Sequence, residues 1–388
     1  MNTYRIKDFG AVADGRTIST KQIQKAIDTC HKEGGGTVIC GNGCFRTGTL
    51  TLRSNVELHV TAGCRILGSE NLKDYEDLEA SGFYGENAPE KSVNCLIKAV
   101  DAENVAVTGT GEINGCGEAF YERERASSAG KFEKPPTPRP RLVMFYRCRN
   151  VLFQETCYVD SACWTFWLMQ CENVNVHRVN IRGDRRFRNV DSIDIDACRN
   201  VTVSDCIMNT EDDCIILRSI QSMYDAPAVC ENVTVNNCVL ETACQGVRVG
   251  CPADAVIRNA AFTNLVINST ANGIIFQNPK IYLPKEGGAL ADVHDIVFSN
   301  IMIDCKRFPV WLYVEEGIKL KRLSDLSFSN LRIKSGGPCI IQGSTETTIR
   351  DICFSNMDFQ TTGNDAVVCR NCQDVKFASV SLSNRSAV

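Results

Sequence analysis

The sequence predicts an all-β protein: a single-stranded, right-handed parallel β-helix with a short N-terminal capping helix, formed by one domain over residues 1–388. Three observations support this fold class. A degenerate repeat runs along most of the chain, each copy alternates apolar and polar residues as strands do, and no long helical pattern separates the copies. Because one coil cannot bury its own apolar face, stacked coils of about 22–32 residues would form the core together.

The clearest copies of the repeat begin at asparagines. The segment Asn173-Val-Asn-Val recurs as Asn200-Val-Thr-Val and again as Asn232-Val-Thr-Val. Degenerate copies begin at six further positions: Asn104, Asn150, Asp295, Asp325, Asp351 and Asp374. Their irregular spacing indicates loops inserted at the turns. Asparagine tolerates the left-handed backbone conformation, so we predict that these residues turn the chain between strands and stack in a ladder.

The N-terminal segment Thr20–Glu33 has a different pattern. Its apolar residues have helical spacing, with Thr20 as the candidate N-cap: Ile23, Ala26, Ile27 and Cys30. The glycines at 34–36 end this helix. A helix here would cover the open end of the β-helix, which is otherwise an exposed edge prone to aggregation.

Composition excludes several classes of function. The net charge of −4 gives no electrostatic reason to expect a nucleic acid partner. No apolar run is long enough to span a membrane, and the first residues lack the apolar core of a signal peptide. We therefore predict a cytoplasmic protein whose 22 cysteines are mostly reduced, buried apolar residues. Metal binding is the alternative use of the cysteines, but we expect no metal and no cofactor.

Aligning the inward apolar pairs of successive coils places the candidate catalytic residues. The offset that carries Ile193 and Ile195 onto Ile215 and Leu217 also carries Asp191 onto Asp213. Since neighbouring strands lie about 4.8 Å apart, these two carboxylates should be stacked. Asp212 precedes Asp213 and should point in a different direction.

Three carboxylates in this arrangement favour glycoside hydrolysis. Stacked carboxylates repel each other, so one pKa should rise. A close pair with a third group set apart suits an inverting enzyme, in which acid and base stand about 6.5–9.5 Å apart. A solvated acidic turn or a calcium site is the alternative interpretation of Asp191, Asp212 and Asp213. The shared register favours catalysis.

The same register predicts which residues line the surface beside these aspartates. Equivalent positions on successive coils form a column along the β-helix. Gln245 lies in the same column as Asp213, and Gln277 and Tyr313 face outward. One outward column contains six residues: Trp167, Asp194, Ile216, Arg248, Ile275 and Trp311. Outward tryptophans beside carboxylates suggest platforms for sugar stacking, although packing beneath a long loop is an equal alternative. Asp196 and Arg218 share a column and should form an ion pair, and the charged, proline-rich stretch 118–140 should form a loop over the cleft.

These residues resemble glycoside hydrolase family 28, the polygalacturonases and relatives of the pectin lyase-like superfamily. The resemblance covers most of the chain. It begins at Asp8-Phe-Gly-Ala-Val-Ala-Asp-Gly and is most specific at Asn189-Val-Asp-Ser and at Asp212-Asp-Cys-Ile, which resemble the family's Asn-Thr-Asp and Asp-Asp motifs. The resemblance implies that Asp212 is the general acid and that Asp191 and Asp213 activate the water.

Two departures from the family pattern concern its positively charged groups. The family's Gly-His-Gly corresponds to Cys244-Gln-Gly, with Gln245 in the histidine's place. The Arg-Ile-Lys motif corresponds to Ile275-Phe-Gln277. The resemblance implies that these cations bind the galacturonate carboxylate beside the cleaved bond, so we predict an altered uronate subsite. Arg248 is the first candidate to compensate, and Lys280 is the second.

The leading hypothesis is therefore an inverting, polygalacturonase-like glycoside hydrolase of the cytoplasm that acts on short pectin-derived or related plant oligosaccharides. A polysaccharide lyase on the same fold is one alternative, although it needs a basic residue that the cleft hardly offers beyond Arg248. A non-catalytic carbohydrate-binding protein is another; the missing cations favour it, and the three aspartates argue against it. The sugar, its linkage, endo or exo action and the oligomeric state stay open.

Overall fold

The computed structural model describes residues 2–122, 130–136, 138–280, 291–363 and 365–384. The chain forms two compact units, residues 1–193 with 200–211 and residues 194–199 with 212–388. Each unit consists mainly of parallel strands, as expected for a parallel β-helix. The single domain over residues 1–388 stays a prediction.

Among the residues described before position 183, the chain forms one α-helix and seventeen strands. The helix α1 is Thr20–Lys32. The strands are β1 (Thr3–Arg5), β2 (Asp14–Ile18), β3 (Gly36–Cys40), β4 (Gly43–Thr47), β5 (Leu50–Thr51), β6 (Val56–Val60), β7 (Cys64–Gly68), β8 (Glu76–Asp77), β9 (Asn94–Val100), β10 (Glu103–Thr108), β11 (Glu112–Asn114), β12 (Arg141–Tyr146), β13 (Arg149–Gln154), β14 (Cys157–Val159), β15 (Phe166–Met169), β16 (Glu172–His177) and β17 (Asn180–Arg182).

The later strands include several that are longer than those of the first unit. They are β18 (Ile193–Asp196), β19 (Arg199–Ser204), β20 (Ile207–Thr210), β21 (Ile215–Ser219), β22 (Val229–Asn236), β23 (Val239–Thr242), β24 (Gln245–Ala253), β25 (Val256–Ser269), β26 (Asn272–Asn278), β27 (Asp292–Cys305), β28 (Val310–Val314), β29 (Arg322–Ser335), β30 (Cys339–Gln342), β31 (Ile349–Thr361), β32 (Val367–Arg370) and β33 (Cys372–Asn384).

Strands pair with the equivalent strands of neighbouring coils. In the first unit β12 pairs in parallel with β9 and β15, β13 pairs with β10 and β16, and β14 pairs with β11 and β17. In the second unit β24 pairs with β21 and β26, and β25 pairs with β22 and β27. The short strand β8 pairs antiparallel with β9. The prediction of stacked coils of parallel strands is confirmed.

The repeated asparagines of the first unit form the predicted ladder. Each side-chain amide donates to the Oδ1 of the asparagine one coil earlier, at 2.8–3.1 Å. The ladder begins at Asn55, which accepts the first bond, and continues with the donors Asn104, Asn150, Asn173 and Asn200. All five residues have φ values between 54° and 64°. Residues in this left-handed region turn the chain sharply at little cost when they are asparagine, and stacking satisfies their amides. Both parts of the asparagine interpretation are therefore confirmed.

The second unit has a ladder of phenylalanines inside its core. Adjacent rings lie 4.7–5.3 Å apart and within 13° of parallel, through Phe262, Phe298, Phe328, Phe354 and Phe377. The first four rings are fully buried, whereas Phe377 is 44% exposed. Each coil thus depends on the next one to bury its apolar face.

The helix α1 has the predicted buried face but not the predicted cap. Its four apolar residues are fully buried. Thr20 is the first helical residue, and Ser19 stands at the N-cap without a capping side-chain bond. The Thr20 Oγ1 instead accepts the backbone N–H of Gly48 at 2.7 Å, so this hydroxyl ties the helix to a neighbouring turn.

The cysteines are free thiols, and most of them are buried. Within the described ranges, no helix is both long and apolar enough to cross a membrane.

Candidate active site

Asp212 and Asp213 lie just before β21 in the second unit, separated from its first residue by Cys214. The Asp213 side chain is 3% exposed, and Asp212 is half-buried. The Asp213 backbone N–H donates to the Asp212 Oδ1 at 3.0 Å, and the Thr242 hydroxyl donates to the Asp212 carbonyl at 2.5 Å. These bonds fix the turn, in which the two adjacent carboxyl groups differ in burial.

Arg248 on β24 forms a buried ion pair with Asp213. Its Nε lies against the Asp213 Oδ2, and its Nη1 donates to the Gln277 Oε1 at 3.2 Å. Only 12% of the Arg248 side chain is exposed. The sequence predicts Arg248 in the outward column as a substrate ligand, and the structure shows that its guanidinium also has a partner within the protein.

The ion pair sets the electrostatics of this site. Burial raises the pKa of Asp213 to about 7; the Arg248 guanidinium opposes that shift, and the Asp212 carboxylate adds to it. Burial alone would lower the pKa of Arg248, but the Asp213 carboxylate and the neighbouring acidic groups together outweigh it, and the net shift of the pKa is upward. A buried carboxylate that titrates near neutral pH beside a permanent cation is suited to act as a base.

Gln245 occupies the predicted place in the Asp213 column. The Cys214 backbone N–H donates to the Gln245 carbonyl at 3.0 Å, which sets the two strands in that register. The Gln245 Oε1 accepts the Asn272 amide at 2.8 Å, and its Nε2 donates to the Cys244 Sγ at 3.2 Å. The family's histidine position is thus filled by a buried amide with partners inside the protein.

Asp212, Asp213 and Cys244 have potential metal-ligand atoms within 4.8 Å of one another. Metal binding by cysteine requires the thiolate, and burial together with the two aspartates strongly raises the pKa of Cys244. Arg248 also contacts Asp213. The group therefore fits a metal ion poorly.

The neighbouring strands carry the remaining predicted residues of the second unit. Arg248 lies beside Ile275, which lies beside Trp311, and Gln277 lies beside Tyr313. Trp311 and Tyr313 are half-buried, with ring centroids 5.3 Å apart. The backbone N–H of exposed Lys280 donates to the Glu315 Oε2 at 2.7 Å. The predicted register of β24, β26 and β28 is confirmed.

Asp191 belongs to the first unit. It is 2% exposed, and its carbonyl accepts the Thr165 backbone N–H at 2.9 Å. Asn189, two residues earlier, is half-buried and has a φ of 58°. The stacking of Asp191 on Asp213 would join residues of different units, so it stays a prediction.

A buried tyrosine–arginine pair holds the segment before Asp191. The Arg139 Nη1 donates to the Tyr121 Oη and to the Arg188 carbonyl, both at 2.5 Å, and its Nη2 donates to the Asn189 Oδ1 at 3.1 Å. The Tyr121 Oη lies 2.9 Å from the Ala162 and Arg188 carbonyls and accepts the Arg188 backbone N–H at 2.9 Å.

The pair is well shielded from solvent. Arg139 is 2% exposed and Tyr121 is 6% exposed. The Tyr121 ring stacks on Phe187 at 4.7 Å and on Phe132 at 5.6 Å. The sequence interpretation missed both residues because it treats 118–140 as a surface loop. In that stretch, 123–129 and 137 lie outside the described residues, so a loop over the cleft stays a prediction.

Trp167 does not have the predicted exposed position. It is fully buried, its ring lies 5.3 Å from Trp164 and 6.4 Å from Phe83, and the Arg141 guanidinium lies 4.3 Å from its centroid. This arrangement matches the alternative interpretation, in which the tryptophan packs beneath other residues. Trp167 therefore offers no open face to a sugar in this structure.

Arg218 forms an ion pair with Asp194, in which the Arg218 Nε lies 2.6 Å from the Asp194 Oδ1. The predicted ion pair between Arg218 and Asp196 stays a prediction. The Asp196 Oδ1 accepts the backbone N–H of Ile220 at 3.2 Å. Asp194 is fully buried although it belongs to the outward column.

Comparison with known proteins identifies proteins that are similar to this chain. The model of glycosyl hydrolases family 28 matches residues 77–224, a range that includes Asn189, Asp191, Asp212 and Asp213. A probable polygalacturonase of Vitis vinifera is 27% identical over 218 residues, covering 55% of this chain and 43% of the relative. An endo-polygalacturonase of Pectobacterium parmentieri is 22% identical over 356 residues, covering 89% of this chain and 85% of the relative.

A solved structure extends the likeness to the fold. The exopolygalacturonase of Thermotoga maritima superposes with a TM-score of 0.82 at 23% identity, covering 98% of this chain and 91% of that one. The predicted fold class, a right-handed parallel β-helix with a short capping helix, is confirmed.

Proposed function

We propose that this chain is a glycoside hydrolase of family 28 that acts on O-glycosyl bonds and hydrolyses pectin-derived or related plant oligosaccharides with inversion. The observation that carries the proposal is the contrast between adjacent carboxyl groups. Asp213 is buried against Arg248, whereas Asp212 is half-buried. Different environments let one carboxyl group act as acid and another as base.

In this mechanism Asp212 protonates the glycosidic oxygen of the leaving group. Its partial exposure leaves it accessible to a sugar, and the Thr242 hydroxyl bond to its carbonyl fixes the turn that carries it. Proton donation by a positioned carboxyl group lowers the barrier by stabilising the departing alkoxide.

Asp213 acts as the base, together with Asp191. The Arg248 guanidinium opposes protonation of Asp213, so the carboxylate can accept a proton from water near neutral pH. Attack of that water on the face opposite the leaving group inverts the anomeric carbon in a single displacement.

We propose further that the subsite beside the cleaved bond depends weakly on a sugar carboxylate. Ile275 and Gln277 stand where the family has arginine and lysine, and Arg248 lies beside Ile275 on the neighbouring strand. Because Asp213 already neutralises Arg248, a uronate would find little free positive charge there. Burying a carboxylate without a charged partner costs several kcal/mol, so a neutral group should bind comparably well.

A cytoplasmic location remains part of the proposal and is supported by the free thiols. Disulfides are rare in the reducing cytoplasm, where such thiols persist. Substrates there would be short, because polysaccharides do not enter cells intact.

Proton NMR of the first-formed sugar tests the reaction. We expect the inverted anomer, and the Asp212→Asn variant should lose about 10²–10⁴-fold in kcat because it lacks the acid, with unchanged thermal unfolding. A retained anomer would contradict single displacement. An unsaturated product that absorbs in the ultraviolet would identify a lyase, and binding without turnover a carbohydrate-binding protein.

A matched pair of substrates tests the subsite. The nitrophenyl α-galacturonide and α-galactoside differ only in a carboxylate versus a hydroxymethyl group. We expect kcat/KM values within about tenfold of each other, whereas a site built around the carboxylate would discriminate by about 10⁴-fold. Strong preference for the galacturonide would overturn the altered subsite and leave the hydrolase proposal intact.

A further inference from the structure

The corner between β32 and β33 contains two cysteines that the sequence interpretation overlooked. The chain there is Cys369-Arg-Asn-Cys372. Asn371 has a φ of 47° and turns the chain. The Gly343 N–H donates to the Arg370 carbonyl at 3.0 Å, and the Ile349 N–H donates to the Asn371 carbonyl at 3.2 Å. The corner is therefore held against the preceding coil by backbone bonds on both sides.

The two side chains converge on the inside of this corner. Cys369 pairs in register with Ile341, and Cys372 pairs with Ile349. Both isoleucines are fully buried, so these columns face the interior of the coil. The Cys372 thiol lies near enough to Cys369 to contribute, after burial, to the raised pKa of the Cys369 thiol.

Solvent reaches this pair of thiols. Cys369 is exposed and Cys372 is half-buried, whereas the other 20 cysteines are buried or half-buried. The Cys171 thiol likewise raises the pKa of the Cys148 thiol, but both residues are only 1% exposed. The chain thus contains an accessible thiol pair and a buried thiol pair of the same chemistry.

We propose that Cys369 and Cys372 form an oxidisable dithiol site that exchanges with low-molecular-weight disulfides. The Cys369 thiolate attacks one sulfur of the small disulfide, whose S–S bond breaks and releases one thiolate. The Cys372 thiolate then attacks the Cys369 sulfur of the mixed disulfide and releases the second thiolate. Two protein thiols are oxidised, one external disulfide is reduced to two thiols, and the protons of the cysteines pass to the leaving thiolates.

A metal site is the less favourable use of this pair. Soft metals such as zinc take four ligands in structural sites and at least three protein ligands in catalytic ones. Among the side chains that the structure describes, the metal-ligand cluster of three or more groups is the one at Asp212, Asp213 and Cys244, and it does not include this corner. Two thiols without further ligands favour a disulfide.

The reaction should be slow at neutral pH and faster in alkali. Burial and the neighbouring thiol raise the pKa of Cys369 to about 11. Because the thiolate is the nucleophile, the rate should rise about tenfold per pH unit below that pKa. The disulfide would join β32 to β33 and hold the last coil closed.

Mass spectrometry of the full-length protein treated with oxidised glutathione under native conditions tests the site. We expect a loss of about 2 Da, the mass of two hydrogens, mapped to the peptide that contains both cysteines. Cys369→Ser and Cys372→Ser should abolish this loss, whereas Cys148→Ser should retain it. Alkylation of the wild-type thiols before and after oxidation tests the same disulfide without any variant. Cys148 should not interfere with this measurement, because it is buried.

Three results would overturn the proposal. They are glutathione adducts on Cys369 without ring closure, a disulfide elsewhere in the chain, and zinc ions added alone that bind tightly and protect both thiols from alkylation. Hydrolase activity should not change in Cys369→Ser. Because the test measures the mass of the protein and not its activity, failure of the proposed hydrolase leaves the test unaffected.

Discussion

At the scale of single residues, the chemistry of the candidate site depends on the contact between Asp213 and Arg248. Burial favours the neutral carboxyl group, and the guanidinium favours the carboxylate. The two effects act in opposite directions, and they leave the Asp213 pKa near 7 rather than at the value of an exposed aspartate. Arg248 thus acts directly on the pKa of the proposed base.

Replacing Arg248 by glutamine should move the acidic limb of the pH profile of kcat/KM. Asp213 must be ionised to act as a base, so activity falls as pH drops through its pKa. Without the cation that pKa rises further, and the limb should shift to higher pH by about one to three units. Lysine at this position, which keeps the charge, should shift it less.

Lys280→Gln is the matched control for that measurement. It also removes one positive charge from the second unit, but its side chain is exposed and not among the groups that shift the pKa of Asp213. Its limb should coincide with that of the wild type. An unchanged limb in Arg248→Gln would mean that another group controls the profile.

At the scale of structural elements, the segment 187–191 depends on residues far away in the sequence. Phe187 and Val190 pack in one buried cluster with Tyr121 and Phe132. The hydroxyl of Tyr121 and the guanidinium of Arg139 bond to the backbone of this segment. We infer that Tyr121 and Arg139 are positioning residues for Asn189 and Asp191.

Tyr121→Phe should lower kcat while leaving KM and the fold nearly unchanged. It removes one hydroxyl that bonds to the segment before Asp191, and displacement of a catalytic group by about 1 Å can cost on the order of 10²-fold in rate. We expect a loss between about tenfold and that value, measured by steady-state kinetics with thermal unfolding in parallel.

Tyr146→Phe gives the control. Tyr146 is also buried, and its hydroxyl donates to the Gly82 carbonyl at 2.9 Å, away from this segment. It should lose comparable stability and keep its kcat. Equal losses of kcat in Tyr121→Phe and Tyr146→Phe would show that Tyr121 has a purely structural role.

At the scale of the whole molecule, stability comes from repetition. Asparagine ladders in the first unit and stacked phenylalanines in the second join coil to coil, so each coil stabilises its neighbours. In the first unit α1 buries its apolar face. In the second unit the last coil leaves Phe377 and Leu382 44% and 49% exposed. A bond between Cys369 and Cys372 would strengthen this weakly covered coil.

Much of the fold and part of the site could be predicted from sequence. Strand alternation and the repeated asparagines have local physical causes, which hold wherever the segment lies. The same period placed Gln245 in the Asp213 column and Arg248 beside Ile275, and the structure confirms both. The register of neighbouring strands can be found by counting residues in the sequence, because parallel strands with the same alternation of inward and outward residues stack residue on residue.

The sequence by itself determined the coil, its inward columns and the adjacent aspartates Asp212 and Asp213. Tertiary structure decided which outward residues meet water and which charges pair. Trp167 is buried, Arg218 bonds to Asp194, and Arg248 bonds to Asp213. The physical reason is that strand period sets the direction of a side chain but not what covers it. Long side chains then choose their partners among groups that only the folded chain brings within reach.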